Sequence, residues 1–319
     1  MRAYAAAMLL MLATTATTTL HAKGYFPDPA TDDGSGYTAT KYPLVFVPGM
    51  FGFEKIAIFD YWYAIPENLT RSGATVFTVD VAGVNSPEFR GEQVIEQVEE
   101  ILAITGAEKV NLLGHSHGSP TIRYVAAVRP DLVASITSIS GVNAGVRSTE
   151  LMKIVTPGSV LEKIMAYFGN GFANFLNKLS GASDTQDIVA SLRSMTVESM
   201  NQFNATYPQG VPAEYCGEGA EVVDGIYYYS FSGANPATNK LDWTDLLFKA
   251  SAIFNKKYNE PTDGLVAPCQ SHLGVVLRDN YSMNHMDPMN WFLGLVDATD
   301  INPVEIYRVQ ANRLKQNGL

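Results

Sequence analysis

Residues 109–120 read KVNLLGHSHGSP. The first five form a short apolar run bounded by polar residues, the pattern of a buried strand. Gly114-His-Ser-His-Gly118 follows at once, and Pro120 falls in the first turn of a helix starting near Ser119. The pattern G-x-S-x-G is weak by itself, because glycine and serine are common. Between a strand and a helix it becomes strong. The serine then occupies a sharp, strained turn, and small flanking residues let strand and helix close around it. The helix N-terminus aims free N–H groups at the same point, where an oxyanion could form. Ser116 is therefore the candidate nucleophile.

The surrounding elements agree. Residues 42–50, 74–81 and 133–140 read as strands, the first ending at Pro48-Gly49. Residues 92–105 carry apolar positions 94, 95, 98, 101, 102 and 104, a helical spacing, with Gly106 as the stop. Alternation of buried strands with helices predicts an α/β fold: a mostly parallel central sheet covered by helices. The 319 residues are 46% hydrophobic and 17% charged, enough for a sizeable core. A net charge of −10 with no basic stripe argues against nucleic acid as a partner.

The N-terminus, MRAYAAAMLLMLATTATTTLHAKGY, has Arg2, a short apolar run and a small-residue zone ending at Ala22. That is the pattern of a secretory signal peptide over 1–22, leaving 23–319 as a single domain. The run is too short to span a bilayer. The two cysteines, Cys216 and Cys269, read as one disulfide in an exported chain and as buried thiols otherwise.

A base for Ser116 must come from five histidines. His21 lies in the signal region. His115 and His117 flank the serine, and in a tight elbow their rings point away from it. A base must approach across the site, held by a third group. His117 matters more through its backbone N–H, next after the nucleophile. His272 and His285 remain. His285, in NYSMNHMDP, has the setting of a loop-borne catalytic residue, whereas His272 adjoins an apolar run and reads as structural. For the orienting acid, Asp263 in EPTDGLVAP stands at a tight turn, with Asp224, Asp242 and Asp245 as rivals.

Together these residues carry a resemblance. VPGMFGF, DYWYAIPENL, RGEQ, VEEILAITGAEKVNLLGHSHGSPTIRYVAAVRPDL, FNATYPQGVP, CGEGA, DGLV, SHLGVVLRDNYSMNH and RLKQ run from about Tyr42 to the C-terminus. The chain resembles the secreted bacterial triacylglycerol lipases of the Pseudomonas and Burkholderia group, within the α/β-hydrolase superfamily. The resemblance implies a Ser116, Asp263 and His285 triad, with the backbone N–H groups of Met50 and His117 as the oxyanion hole. It implies one structural Ca²⁺, held by the carboxylates of Asp242 and Asp287 and the carbonyls of Trp291 and Leu295. Oxygen ligands of this kind suit a hard cation. It also implies a Cys216–Cys269 disulfide, and a periplasmic, lipase-specific foldase as partner on the way to the outside of the cell. Two positions depart from the family pattern. The usual strand-end His-Gly is Pro48-Gly49 here, and Trp291 replaces a polar residue.

From Val160, apolar positions 160, 161, 164, 165, 167, 168, 172, 175, 176 and 179 mark an amphipathic helix. The resemblance makes 151–179 a lid over the site, able to offer its apolar face to a lipid–water interface. The expected activity is hydrolysis of long-chain acylglycerol esters. The alternatives are a short-chain carboxylesterase or acyltransferase with the same triad, and a catalytically silent lipid-binding protein of this fold.

Overall fold

The computed structural model describes residues 22–50, 55–56, 59–147, 193–252, 255, 258–291 and 293–319. The signal peptide up to residue 21 and the candidate lid 151–179 lie outside the described residues.

Eight strands form one sheet: β1 Lys23–Tyr25, β2 Leu44–Val47, β3 Val76–Thr78, β4 Val110–His115, β5 Val133–Ile139, β6 Val222–Val223, β7 Ile226–Gly233 and β8 Val275–Tyr281. Their order across the sheet is β1-β3-β2-β4-β5-β7-β8, and β6 pairs with β7. From β3 to β8 every neighbouring pair is parallel. The short β1 and β6 run antiparallel to β3 and β7. A separate small hairpin joins Lys55–Ile56 to Phe59–Asp60.

Among the described residues the α-helices are α1 Ile65–Thr70, α2 Pro87–Thr105, α3 Gly118–Val128, α4 Val197–Thr206, α5 Thr244–Ser251, α6 Pro268–Ser271 and α7 Pro303–Gln316. Strand β2 shows how the sheet is covered. Leu44 and Phe46 join one apolar cluster with Ile65 and Leu69 of α1 and Ile306, Tyr307 and Leu314 of α7. Val45 and Val47 join a second cluster with Val94, Val98 and Ile101 of α2 and Ile122 and Val125 of α3. Alternate side chains of a strand point to opposite faces, so helices bury the sheet on both sides. This is why β2, β4 and β5 are buried along their whole length.

Helix α2 begins five residues before the expected 92. Ser86 accepts the Phe89 N–H, and Pro87 occupies the first turn. Beyond Pro87 that turn buries Arg90 and Gly91 and leaves Phe89 exposed, so the apolar spacing starts late. A Cβ on Gly91 would lie 2.3 Å from Tyr124 Cδ1, which shows how closely α2 packs on α3. The helix stops at Gly106, where φ is +69° and the N–H bonds Leu102 O.

Candidate active site

Strand β4 runs into Ser116, whose φ is +53°. A non-glycine residue in the left-handed region stores strain, and such strain concentrates at functional sites. The turn is braced at both ends. Ser116 N–H donates to Ile139 O at 2.9 Å, and Ser119 N–H donates to Ser116 O at 3.0 Å. The flanking glycines are sterically required. A Cβ on Gly114 would lie 2.5 Å from Gly118 O, and one on Gly118 would lie 2.5 Å from Val47 O.

Two loops meet this turn. Asp263 Oδ1 accepts the N–H groups of Leu265 and Val266 at 2.9 and 2.8 Å. Its Oδ2 lies 2.7 Å from His285 Nδ1, and its carbonyl accepts the His285 N–H at 2.9 Å. His285 Nε2 lies 2.9 Å from Ser116 Oγ. The carboxylate demands a proton on Nδ1, which leaves Nε2 bare to accept from the serine. All three residues are buried, Asp263 completely. The structure thus brings together the three residues expected to form the triad.

The rivals sit elsewhere. His272 Nδ1 bonds Gly217 O at 2.8 Å, and its Nε2 bonds Asp279 at 3.0 Å, beside the disulfide loop. Asp224 lies in the β6–β7 turn. Asp242 and Asp245 lie with Asp287 in a separate buried group.

The histidines flanking Ser116 are both neutral. Burial is the first cause that pushes each well below the usual histidine range; the second is the electrostatic influence of the neighbouring His285 ring for His115 and of the Arg90 guanidinium for His117. His117 Nδ1 lies 2.5 Å from Arg90 Nη1 and accepts its proton, and His117 Nε2 donates to Ser194 Oγ at 3.0 Å. His115 Nδ1 lies 2.8 Å from Tyr61 Oη, and its Nε2 lies 2.9 Å from His285 O.

The expected oxyanion donors lie on either side of the elbow. His117 caps the N-terminus of α3. Met50 follows Gly49, and a Cβ on Gly49 would be 2.9 Å from Ser116 Cβ, so the β2 end presses against the serine. Arg90, fully buried, donates from Nη2 to Pro48 O at 2.6 Å and to Gly49 O at 3.0 Å. Burial pulls its pKa down to about 10, which still leaves it charged at neutral pH.

Among the described residues no group of three or more His, Cys, Asp or Glu side chains is poised to hold a metal ion. The expected calcium ligands include only two carboxylates. Asp242 and Asp287 are 4% and 3% exposed; burial and then Asp245 raise Asp242, and burial and then Asp242 and Asp245 raise Asp287. Burial is the larger cause and lifts Asp287 to about 8. Their hydrogen-bond donors are Thr238, Thr244 and Asn284, all uncharged. Trp291 is buried, its carbonyl accepting the Leu293 N–H at 2.7 Å, and Leu295 is half-buried. Paired buried carboxylates with neutral donors suit an oxygen-seeking dication.

Cys216 and Cys269 form a disulfide. Cys269 belongs to α6, where Gln270 binds the Ala267 N–H at 3.0 Å and Gly145 O at 2.6 Å. The bridge therefore ties the 216–220 loop to the segment that follows Asp263.

The sequence pattern of the alpha/beta hydrolase fold family matches residues 42–288. A triacylglycerol lipase of Vibrio cholerae is 52% identical over 286 residues, covering 89% of this chain and 91% of that protein. A triacylglycerol lipase of Pseudomonas fragi is 37% identical over 288 residues, covering 88% and 98%. The chain belongs to the bacterial triacylglycerol lipase family. The crystal structure of a Bacillus licheniformis lipase in its mature form shares the fold, with a TM-score of 0.58 at 15% identity over 92% of this chain and 98% of that one.

Two residues at this lipase-family site were not singled out from sequence. Arg90 and Tyr61 lie in RGEQ and DYWYAIPENL, both noticed as shared stretches. The signal for Arg90 was an arginine next to a glycine on the buried side of α2, four residues before Val94. Tyr61 gave no such signal, because an aromatic beside Trp62 reads as core.

Proposed function

We propose that this protein is a secreted triacylglycerol lipase that hydrolyses long-chain acylglycerol esters through an acyl-enzyme. The observation that carries this reading is the unbroken line from Asp263 through His285 to Ser116 Oγ, at 2.7 and 2.9 Å. Relatives named triacylglycerol lipases at 52% and 37% identity support the substrate class.

His285 Nε2 takes the Ser116 proton as Oγ attacks the ester carbonyl. The carbonyl π electrons move to oxygen, and the Met50 and His117 N–H groups receive the oxyanion. The C–O bond to glycerol breaks, and His285 gives its proton to the leaving alkoxide oxygen. Water then attacks the acyl-enzyme, losing a proton to His285; the acyl C–O bond to Ser116 breaks, His285 returns that proton to Oγ, and the acid is released. Asp263 keeps His285 in the required tautomer and faces the charge that the ring gains.

A calcium ion would be held by Asp242, Asp287 and the carbonyls of Trp291 and Leu295. When bound, it supplies charge neutralisation and no chemistry. The chain itself then fixes the His285 loop, since Asp287 Oδ2 accepts the Asn284 N–H at 2.8 Å. Export across the inner membrane by the 1–22 signal, folding with a periplasmic foldase and a 151–179 lid complete the proposal.

The test compares the mature chain with Ser116→Ala on an emulsified long-chain triglyceride and on soluble p-nitrophenyl butyrate. Cleavage of the emulsion by the wild type alone supports the lipase reading. Cleavage of the soluble ester only makes the protein an esterase.

A further inference from the structure

We propose that His115 is a positioning residue, which with Tyr61 ties the oxyanion turn at Gly49 and the backbone of the base His285 to the nucleophile elbow. The inference rests on the hydrolytic reading above and adds a role for a ring that never touches substrate.

The proton order of this connection is fixed by chemistry. The carbonyl of His285 can only accept, so the proton of the 2.9 Å contact sits on His115 Nε2. His115 is neutral, so its Nδ1 is bare and accepts the Tyr61 O–H at 2.8 Å. The Tyr61 oxygen in turn accepts the Gly49 N–H at 2.8 Å. One chain of hydrogen bonds therefore runs from Gly49 N–H through Tyr61 and His115 to His285 O.

Its ends matter. Gly49 directly precedes Met50, a proposed oxyanion donor. His285 O belongs to the base itself, 170 residues from His115. Its middle, His115, is bonded along the backbone to Ser116. All three parts of the catalytic group are thus referred to one ring, and Tyr61 and His115 are 4% and 1% exposed, so water has little access to compete.

The tautomer matters as well. His285 becomes cationic during each half-reaction, and the two rings lie 4.9 Å apart between centroids. A His115 with a bare, accessible nitrogen would compete for that proton. Tyr61 occupies its Nδ1, and Nε2 already carries hydrogen. The ring is left as a rigid neutral donor, which a space-filling leucine could not be.

Glutamine and asparagine separate this role from simple packing. The glutamine amide nitrogen reaches the place of Nε2 and can still donate to His285 O. The asparagine amide reaches only the place of Nδ1. On a soluble ester His115→Gln should lower kcat about threefold, the cost of one lost bond to Tyr61. His115→Asn should lower kcat about a hundredfold with KM little changed, as expected for a misplaced base. Equal losses in the two variants, or losses that follow their Tm values, overturn the proposal. If His115→Asn does not fold, Tyr61→Phe replaces it: a kcat drop of about tenfold supports the relay, and wild-type kcat refutes it. Ring ¹⁵N spectra of the wild type provide a reading independent of turnover. The proposal requires His115 neutral with its proton on Nε2 at neutral pH, and a proton on Nδ1 would sink it. Failure of the wild type to cleave any ester would instead count against the lipase reading.

Discussion

Arg90 donates from Nη2 to the carbonyl of Pro48 at 2.6 Å. Position 48, where the resemblance implies a histidine, is a proline here, which has no N–H to offer. The finding shows which group the site uses at this position: the carbonyl, which proline keeps. The same guanidinium bonds Gly49 O and His117 Nδ1, so one buried cation braces both sides of the proposed oxyanion hole.

Arg90→Met keeps much of the volume and removes every donor. Two buried carbonyls and a buried imidazole nitrogen then lose their partners. The expected loss of stability is about 2–4 kcal/mol, read from urea unfolding midpoints. Because Met50 follows the released carbonyls, kcat on a soluble ester should fall as well. A variant with wild-type stability and turnover would show that these bonds contribute nothing.

Asp263→Asn tests the acid separately. Its Oδ1 holds two backbone N–H groups, and an amide oxygen can do the same, so the loop should persist. The other amide atom would present hydrogens to His285 Nδ1 and force the proton to Nε2. The ring could then no longer accept from Ser116. The expected fall in kcat is about 10⁴-fold, the scale for this change in a Ser-His-Asp triad. A circular dichroism spectrum matching the wild type, together with this loss, distinguishes a wrong tautomer from misfolding.

The sheet was legible in sequence where physics made it simple. Strands β2, β4 and β5 are buried on both faces: β2 appears as an unbroken apolar run before Pro48-Gly49, β4 as a largely apolar run entering Gly114, and β5 as Val and Ile among small residues. Strand β8, Val275–Tyr281, is partly exposed along most of its length and contains Arg278, Asp279 and Asn280. As the edge of the sheet it carries no clear period. The elbow followed from motif and context; chain order and turn context favoured His285 and Asp263 over their rivals, and the family resemblance singled them out. The bracing residues did not, because a buried arginine or tyrosine is defined by partners far along the chain: Arg90 by Pro48 and His117, Tyr61 by His115. No local pattern encodes such contacts.

The neutral histidines give the protein a pH dependence. His117 is held well below its ordinary 6.5 by burial and then by Arg90. In the unfolded chain it takes up a proton as pH falls through 6.5, and in the folded protein it does not. The unfolded state binds more protons there, so stability is full above that pH and declines below it, by about 1.4 kcal/mol per pH unit for each such ring. Unfolding free energies measured between pH 7.5 and 5 should fall more steeply in the wild type than in His117→Asn. Parallel curves would mean that the ring is not buried neutral.

The carboxylates of Asp242 and Asp287 supply the remaining test. Both are buried, both are raised by burial, and their donors carry no charge. A dication between them would remove the repulsion and hold the segment that follows His285. A chelator should therefore lower the Tm of the wild type and slow ester hydrolysis, with calcium restoring both. Asp287→Asn removes one charge from the pair. It should have a lower Tm than the wild type in calcium and should respond far less to the chelator. Isothermal titration gives the direct reading: one ion bound by the wild type and markedly weaker binding by the variant. A wild type whose Tm, turnover and titration heats ignore calcium would leave these aspartates as a hydrogen-bonded cluster around Thr238 and Asn284, with no ion in the site.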